Sequence, residues 1–286
     1  MLEPYRPEFF AEVSASARRQ PEFDYLRAII KAHREDRLPG DCWVWRTRGR
    51  ISAFCALAYL NRGDAWLYGM RVNDEFKGQG IATRLTRRLF GVARAAGRTW
   101  VALDTKDVPS KAPVFRICTK LGMRHKHSCA TAMLWNLPGH FRPPRLRPMP
   151  GMFAHLQKLG VPTILEQRSP LWRWSRLLPG RRQRVNRHGF VIAGLPVLIE
   201  HDKAAVQPGR PSRWTVANLY DRPPDFRGLV SSLSGLAAGG KDGLVVNYPA
   251  EWQRELRRAA AVAVPGLKFG RNCFFGAWRI YAKHLS

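Results

Sequence analysis

The sequence predicts an α+β protein in which helices cover both faces of a mixed sheet, an α/β/α sandwich, followed by a second domain of the same class. Two observations support this prediction. The first half alternates helix-like and strand-like segments in the order ααβββαβαβ, and the second half ends on the same strand, helix, strand, helix, strand order. A chain of 286 residues with 45% hydrophobic residues is long enough for two cores of ordinary domain size.

The opening residues predict two helices and then three antiparallel strands. Apolar residues in the segment Glu8–Asp36 recur near the helical period. The strands are predicted from β-branched, aromatic and alternating residues between short polar turns. They are Cys42–Thr47, Ile51–Leu60 and Ala65–Val72. Because no strand-like segment comes before the helices, we expect the first strand of the sheet to be missing or replaced by another segment.

A helix pattern follows the third strand. Ile81, Leu85, Leu89 and Val92 share one helical face, and Gly97 closes the helix. The later elements of the first domain are a strand at Trp100–Asp104, a helix at Val114–Leu121 and a strand at Cys129–Leu137.

Prolines recur in the segment 138–150 and predict a domain boundary, because proline removes backbone donors and restricts the backbone. We expect a first domain at 1–137, a linker at 138–150 and a second domain at 151–286. The segment Arg168–Arg187 shows no clear periodicity. The later elements repeat the order of the first domain and indicate an internal duplication. They are the strand Trp214–Tyr220, the helix Phe226–Ala238, the strand Gly243–Asn247, the helix Glu251–Val262 and the strand Phe274–Lys283.

The net charge of +27 favours acidic ligands. A phosphate-bearing cofactor would be attracted, but one cofactor does not need so many cations, so nucleic acid or an anionic surface is a competing partner. No apolar run approaches the roughly 20 residues that cross a bilayer. The segment Met1–Pro4 also lacks the pattern of a signal peptide. We therefore expect a cytoplasmic protein with no membrane partner.

The five cysteines are scattered and form no CxxC pair, so we expect free thiols. His125, His127 and Cys129 alternate in sequence and could share one face of a strand. A zinc site would need a fourth ligand, and none is evident. We therefore predict no metal.

The segment Lys77–Ala82, called the glycine turn below, lies between a predicted strand and a predicted helix. Unpaired amides at the start of a helix, together with the missing side chains of Gly78 and Gly80, let phosphate oxygens approach the backbone. The glycine turn therefore predicts an anion-binding site. A plain turn before a helix is the alternative for so short a pattern.

The stretch Gly69–Ala82 resembles the pyrophosphate-binding motif of the GNAT acetyltransferases, whose pattern is Arg or Gln, two residues, Gly, one residue, and Gly or Ala. Lys77 replaces the first residue of the pattern but keeps the charge, and Gly80 and Ala82 match the small positions. The resemblance implies acetyl-CoA as acyl donor, bound along a strand that splays from its neighbour. The implied cofactor-binding residues are Met70, Arg71, Val72, Lys77, Gly78, Gln79, Gly80, Ile81 and Ala82. Arg84, in the first turn of the helix, could add a phosphate contact, with a solvated basic helix face as the alternative.

The candidate catalytic residues are Asp64, Tyr68 and Cys118. Asp64 shares a strand face with Tyr68 and lies roughly where histone acetyltransferases of this superfamily carry their glutamate base, with a turn role as the alternative. Cys118 falls where the family commonly has the tyrosine that acts as general acid, with a buried packing role as the alternative. Asp104 is a second candidate for the base. No Cys-His-Asp or Ser-His-Asp arrangement is recognisable, which favours direct transfer.

Within the superfamily, the segment Phe23–Leu26, the approach Gly69–Val72 and the tandem arrangement look most like the histidine N-acetyltransferase-like group. This resemblance implies a small-molecule amine acceptor, an amino acid among the candidates, with Asp24 and Tyr25 lining its pocket. The second domain has no matching glycine turn and is expected to be a degenerate GNAT-like domain with a structural or acceptor-binding role. The competing hypothesis is a non-catalytic basic module that binds nucleic acid or acidic protein through a vestigial acyltransferase fold.

Overall fold

The computed structural model divides the chain into two compact units, Met1–Lys126 with Ile280–Ser286, and His127–Arg279. The end of the chain therefore belongs to the first unit, and the first boundary lies before the proline-rich segment 138–150. The structure describes residues 1–17, 23–35, 40–106, 112–137, 141–161, 163–168, 171–176, 179–203, 213–237, 242–264, 267 and 273–285.

The first unit contains a mixed sheet. Its strands lie in the order β1, β2, β3, β4, β5, with the end of β14 beside β5. The first four pair antiparallel in sequence, and β4 and β5 pair parallel. Their ranges are β1 (Leu2–Pro4), β2 (Gly40–Thr47), β3 (Arg50–Tyr59), β4 (Asp64–Val72), β5 (Trp100–Lys106) and β14 (Cys273–His284).

The sheet does have a first strand, so the expectation that it is missing or replaced was wrong. Leu2–Pro4 pairs antiparallel with Trp43–Trp45 at the edge of the sheet. The strand is three residues long and ends on proline. A proline is tolerated on an edge strand because its missing amide need not pair, and so short a segment shows no alternation in sequence.

Helices pack on both faces of this sheet, as the sequence predicts. The helices are α1 (Phe10–Ala17), α2 (Phe23–Arg34), α3 (Ile81–Ala95) and α4 (Pro113–Lys120). Alternate residues of β4, including Ala65 and Leu67, share a core with Ile81, Leu85 and Leu89 of α3. The other residues of β4 face α2, which contacts the strand through Ile29 and His33.

The C-terminal residues of the chain complete the core of the first unit. Leu285 is 8% exposed and belongs to the same apolar cluster as the buried face of α3. Its amide donates a hydrogen bond to the carbonyl of Thr99 at 2.8 Å. The Nζ of Lys283 donates to the carbonyl of Leu121, also at 2.8 Å. The first unit therefore depends on residues from the far end of the sequence.

The second unit contains a sheet in the order β14, β6, β13, β12, β11, β10, β7. A separate antiparallel pair is formed by β8 and β9. The elements are β6 (Arg124–Leu134), β7 (Arg147–Pro148), α5 (Met152–Lys158), β8 (Thr163–Arg168), β9 (Leu171–Arg176), α6 (Arg182–His188), β10 (Gly189–Ile192), β11 (Leu195–Lys203), β12 (Arg213–Leu219), α7 (Phe226–Ser234), β13 (Asp242–Pro249) and α8 (Gln253–Ala263).

The predicted order of the later elements, from β12 through α7, β13 and α8 to β14, is confirmed. The strands β10, β11 and β12 pair antiparallel, and β12 and β13 pair parallel around α7. The first unit has the same arrangement in β2, β3, β4, α3 and β5. The strand β6, which the sequence assigned to the end of the first domain, pairs with β13 instead. None of the described helices is long and apolar enough to cross a lipid bilayer.

Replacing Leu285 with alanine should lower the free energy of unfolding by about 2 kcal/mol, because truncating a buried leucine loses apolar burial and leaves a cavity. Urea denaturation of the full chain measures this change. Val262→Ala is the matched control, since Val262 is 57% exposed. An effect of Leu285→Ala no larger than that of Val262→Ala would show that the C-terminal residues do not stabilise the core.

Candidate functional site

A β-bulge interrupts β4 at Gly69 and Met70. On β3, Ala56 pairs with Tyr68 and Phe54 pairs with Arg71, so one residue of β3 lies opposite two residues of β4. Gly69 has a φ of +64°, a conformation that favours glycine. A bulge of this kind bends and twists the strand that contains it. The bulge was not predicted from the sequence, although an isolated glycine in a strand pattern is the usual signal of a bulge.

The α2 helix packs directly against the bulge. A Cβ atom added to Gly69 would lie 2.7 Å from Cδ1 of Ile29 and 3.4 Å from Cδ2 of Leu26. Both leucine and isoleucine are buried. Glycine is therefore required here for two reasons, its backbone conformation and the close approach of the helix.

The strands β4 and β5 separate after a short parallel pairing. The pairing joins Asp64–Trp66 with Trp100–Ala102, but β4 continues to Val72 and β5 to Lys106. In the described part of the chain, the later residues of the two strands do not pair. A gap therefore opens between β4 and β5 at the bulge. An extended ligand can pair with the backbone of such a strand edge as an added strand would.

The glycine turn follows β4 and presents backbone amides to solvent. Gly78 and Gly80 have φ values of +79° and +71°, and α3 begins at Ile81 without a side-chain cap. The turn is exposed at Gly78, and no atom lies within 4 Å of a Cβ built there. Among the described residues, no hydrogen-bond acceptor pairs with the amides of residues 78–82. Unpaired amides and the positive end of the helix dipole make this surface suited to an anion.

Two cations flank the glycine turn. The Nη1 of Arg84 donates to the carbonyl of Gln79 at 3.0 Å, and its guanidinium lies 5.9 Å from the ring centroid of Trp45. The Nζ of Lys77 lies 2.5 Å from a carboxylate oxygen of Asp74. Both members of this ion pair are more than half exposed, so the pair is weak and the lysine can turn to another anion.

The buried carboxylate of Asp64 takes part in the turn before β4. It accepts a hydrogen bond from Nδ2 of Asn61 at 2.8 Å, and Oδ1 of Asn61 accepts from the amides of Gly63 and Asp64. Asp64 is fully buried at the start of the strand, before the bulge. This geometry favours the turn role that the sequence left open.

Cys118 is fully buried in the core formed with α3. Burial raises the pKa of its thiol to about 12, so the thiol is a weak acid at neutral pH. This geometry favours the packing role over that of a proton donor. The other four cysteines are likewise buried and free, as expected. The side chains of Asp24 and Tyr25 lie outside the described residues.

Tyr68 pairs with His33, a residue that the sequence analysis did not assign to the site. The Tyr68 hydroxyl is hydrogen-bonded to Nε2 of His33, and the two rings stack at 5.9 Å. Nδ1 of His33 lies 3.2 Å from the carbonyl of Gly40. Because a carbonyl can only accept, Nδ1 carries the proton in the neutral imidazole and Nε2 accepts from the tyrosine. The sequence signal was the position of His33 on the apolar face of α2.

Asp104 lies on β5 two residues beyond the last position paired with β4. By strand alternation it shares a sheet face with Trp66 and Tyr68. Its side chain is half-buried, and burial raises the pKa of its carboxyl to about 6. A carboxyl with this pKa is ionised at neutral pH and basic enough to accept a proton.

In the described part of the second unit, the strands and the helix that correspond to β4, β5 and α3 show neither the strand gap nor the open glycine turn. The parallel pairing of β12 with β13 continues from Arg213 and Asp242 to Asn218 and Asn247. At the start of α7, the carboxylate of Asp225 accepts from the amides of Arg227 and Gly228, each at 2.9 Å. The helix terminus that corresponds to the glycine turn is thus already capped by an acidic side chain.

Replacing Gly69 with alanine should lower the free energy of unfolding by about 2 to 4 kcal/mol, from backbone strain at positive φ and the clash with Ile29. Thermal and urea unfolding measure the loss. Gly91→Ala is the matched control because Gly91 lies on α3 with open space around it. That control should gain about 0.5 to 1 kcal/mol. Equal effects of the two substitutions would contradict the bulge geometry.

Comparison with known proteins places this geometry in context. Residues 4–112 match the model of the acetyltransferase (GNAT) family, a range that includes the bulge and the glycine turn. No curated protein sequence matches the chain. A structure assigned as an acetyltransferase from Thermoplasma acidophilum has 11% identity and a TM-score of 0.53, covering 99% of each chain. One from Pyrococcus horikoshii has 12% identity and a TM-score of 0.53, covering 100% of this chain and 89% of the other.

At these identities the structural likeness concerns the fold, and it confirms the predicted α+β class with a mixed sheet. The family match points to the first unit and does not favour the alternative of a non-catalytic binding module. The family match over residues 4–112 of the first unit supports an acyltransferase, while the structural likeness concerns the fold alone.

Proposed function

We propose that the first unit transfers an acetyl group from acetyl-CoA directly to the amine of a small molecule, with amino acids among the candidates. One observation supports this function most strongly. The open amides of the glycine turn follow a strand whose pairing with β5 ends at Trp66, so a phosphate site and a strand edge are adjacent in the chain. The family match covers both features.

The diphosphate of acetyl-CoA would bind the amides of residues 78–82, with Lys77 and Arg84 adding positive charge. Hydrogen bonds from amides to a charged phosphate are shorter and stronger than those between neutral groups. The pantetheine arm would then pair with the backbone of Met70–Val72 at the strand gap. This arrangement orients the thioester through main-chain groups, which side-chain substitutions hardly change.

Transfer requires a neutral amine, a stabilised thioester oxygen and a base. In the proposed reaction the amine nitrogen forms a bond to the thioester carbon, and the carbon–sulfur bond breaks to release CoA as the thiolate. A β4 amide at Met70 or Arg71 would donate to the oxygen on which charge develops. Because the thiolate is a stable leaving group, the buried thiol of Cys118 need not protonate it.

We assign the base to Asp104 rather than to Asp64. Asp104 lies beside the strand gap with a raised pKa, whereas Asp64 is fully buried and bonded to Asn61. Tyr68 donates to His33, and a hydroxyl oxygen can also accept a hydrogen bond from an amine. Tyr68 and His33 would thus position the amine, and Asp104 would remove its proton.

The acceptor would lie near α2, the helix that covers the bulge. Asp24 and Tyr25 belong to this helix and remain our candidates for acceptor binding. The second unit, which we interpret as a degenerate GNAT-like domain, would have a structural or acceptor-binding role. Its shared element order supports that interpretation, and its paired strands and capped helix argue against a second transfer site.

A panel of primary amines tests the proposed function. The purified chain is mixed with acetyl-CoA and each amine, including the free amino acids and short peptides, and release of CoA thiol is followed. At least one small amine should give turnover well above the hydrolysis seen without amine. Turnover with peptides alone would overturn the small-molecule assignment, and no turnover with any amine would overturn the catalytic proposal.

Replacing Gly80 with alanine should weaken acetyl-CoA binding at least about tenfold, because the new Cβ occupies the space that a phosphate oxygen needs. Isothermal titration calorimetry at low salt measures the affinity. Gly97→Ala is the matched control, since Gly97 has a φ of +73° against +71° for Gly80 but lies after α3. Both variants carry the same backbone strain, so an equal loss of affinity would contradict the phosphate site.

Replacing Asp104 with asparagine should lower kcat by about 100-fold to 10,000-fold through loss of the base. In the wild-type enzyme, activity should fall as the pH drops through about 6, where the carboxylate becomes protonated. The variant should lose this acid limb. Rate measurements between about pH 5 and about pH 8 check both results.

Stability provides the control for this variant. A carboxyl whose pKa is raised in the folded state lowers the free energy of unfolding as the pH rises from the ordinary pKa of that carboxyl to about 6. Asp104→Asn should therefore be more stable than wild type at neutral pH, by at most about 3 kcal/mol, and not at about pH 4. An inactive but stabilised variant excludes unfolding as the cause. Full activity in Asp104→Asn would show that another group is the base.

A further inference from the structure

A cavity of about 190 Å³ lies in the second unit, at the carboxyl ends of the parallel strands β12 and β13. None of its lining residues belongs to the glycine turn or the strand gap. The volume corresponds to about six water molecules, so the cavity suits a small metabolite and not a cofactor. Ligands of α/β sheets commonly bind at this end of parallel strands. The residues that matter below are Asn218, Asn247, Tyr248 and Leu159.

A chain of buried side-chain hydrogen bonds orients two amides beside this cavity. The Thr131 hydroxyl donates to Oδ1 of Asn247 at 2.7 Å, and Nδ2 of Asn247 donates to Oδ1 of Asn218 at 3.0 Å. Nδ2 of Asn218 then donates to the carbonyl of Leu198 at 3.4 Å. Each asparagine oxygen accepts one of these hydrogen bonds, and because the Leu198 carbonyl can only accept, the direction of the chain is fixed from Thr131 to Leu198.

This direction leaves one hydrogen of each amide nitrogen available as a donor. Each asparagine Nδ2 carries two hydrogens, of which one is used in the chain of hydrogen bonds. Asn218 and Asn247 are 1% and 2% exposed, so their second hydrogens gain little from water. Within the described residues, no protein acceptor pairs with them. Leaving a buried donor unpaired costs about 1 to 3 kcal/mol, which a ligand oxygen would offset.

The other lining residues add a donor and no negative charge. Tyr248 is 2% exposed, and its hydroxyl has no hydrogen-bond partner among the described residues. No aspartate or glutamate lines the cavity. The nearest acidic residue in sequence, Asp221, is hydrogen-bonded to Nε2 of His155 on α5 at 2.6 Å. The cavity thus has several hydrogen-bond donors and no acidic side chain that would repel an anion.

We propose that this cavity binds a small carboxylate, whose oxygens accept hydrogen bonds from the side-chain amides of Asn218 and Asn247. The two donors lie on adjacent strands, and a carboxylate has two oxygens to match them. A carboxylate also gains from charge-assisted hydrogen bonds, whereas a neutral carbonyl compound does not. The proposal concerns the second unit alone and does not depend on acetyl transfer by the first.

Calorimetry with matched pairs of probes tests the carboxylate preference. The full chain is titrated with acetate, propionate, lactate, glycine and alanine, and with acetamide and propionamide as neutral isosteres. At least one carboxylate should bind, and its neutral isostere should bind at least about tenfold more weakly. No binding of any carboxylate at about 10 mM, or equal binding of the isosteres, would overturn the proposal.

Variants assign the binding to this cavity. Asn247→Asp replaces the donor by an acceptor and should weaken carboxylate binding at least about tenfold. Because this change in a buried chain can prevent folding, Leu159→Trp serves as a second variant. Leu159 is 44% exposed at the cavity, so the indole is tolerated and should obstruct entry. Gly80→Ala should bind carboxylates as wild type does, since it alters only the other anion site. Wild-type affinity in the two cavity variants, or loss in Gly80→Ala alone, would refute the assignment.

Discussion

The acetyl-CoA site proposed for the first unit depends on backbone amides that the fold leaves unpaired. A buried or half-buried amide is normally satisfied by a helix, a strand partner or a cap, so leaving several open along a few residues needs special local structure. Two devices provide it. The bulge at Gly69 lies where β4 runs on beyond its pairing with β5, and the glycine turn brings the chain into α3 without a capping side chain. Both rely on glycines at positive φ.

The two units differ in whether the amides at the start of the corresponding helix are capped by a side chain. They share the order of three antiparallel strands, a helix and a parallel strand. In the second unit, Asp225 caps α7 and the parallel strands β12 and β13 pair through six positions, so two of the amides at the start of α7 are already bonded. The donors available at the described cavity of that unit are instead the second hydrogens of the side-chain amides of Asn218 and Asn247. The same topology thus presents main-chain donors in one unit and side-chain donors in the other.

Much of the fold could be predicted from the sequence because it depends on local pattern. The face of α3, the glycine turn and the strands of the first unit follow from periodicity and from residues close in sequence. The rest depends on distant partners. Neither the pairing of β6 with β13 nor the packing of Leu285 near Thr99 leaves a local signal. Residue type alone also cannot reveal burial. Asp64 is fully buried in a turn, whereas the pKa of the Asp104 carboxyl and that of the Cys118 thiol are raised by burial.

Amide hydrogen exchange tests the central claim most directly. Exchange is measured by mass spectrometry on the full chain with and without acetyl-CoA at low salt. The amides of residues 70–72 and 78–82 should become protected, because they would pair with pantetheine and diphosphate oxygens, while residues 213–249 of the second unit should be unaffected. Protection confined to the second unit, or no protection in the glycine turn at saturating acetyl-CoA, would contradict the account.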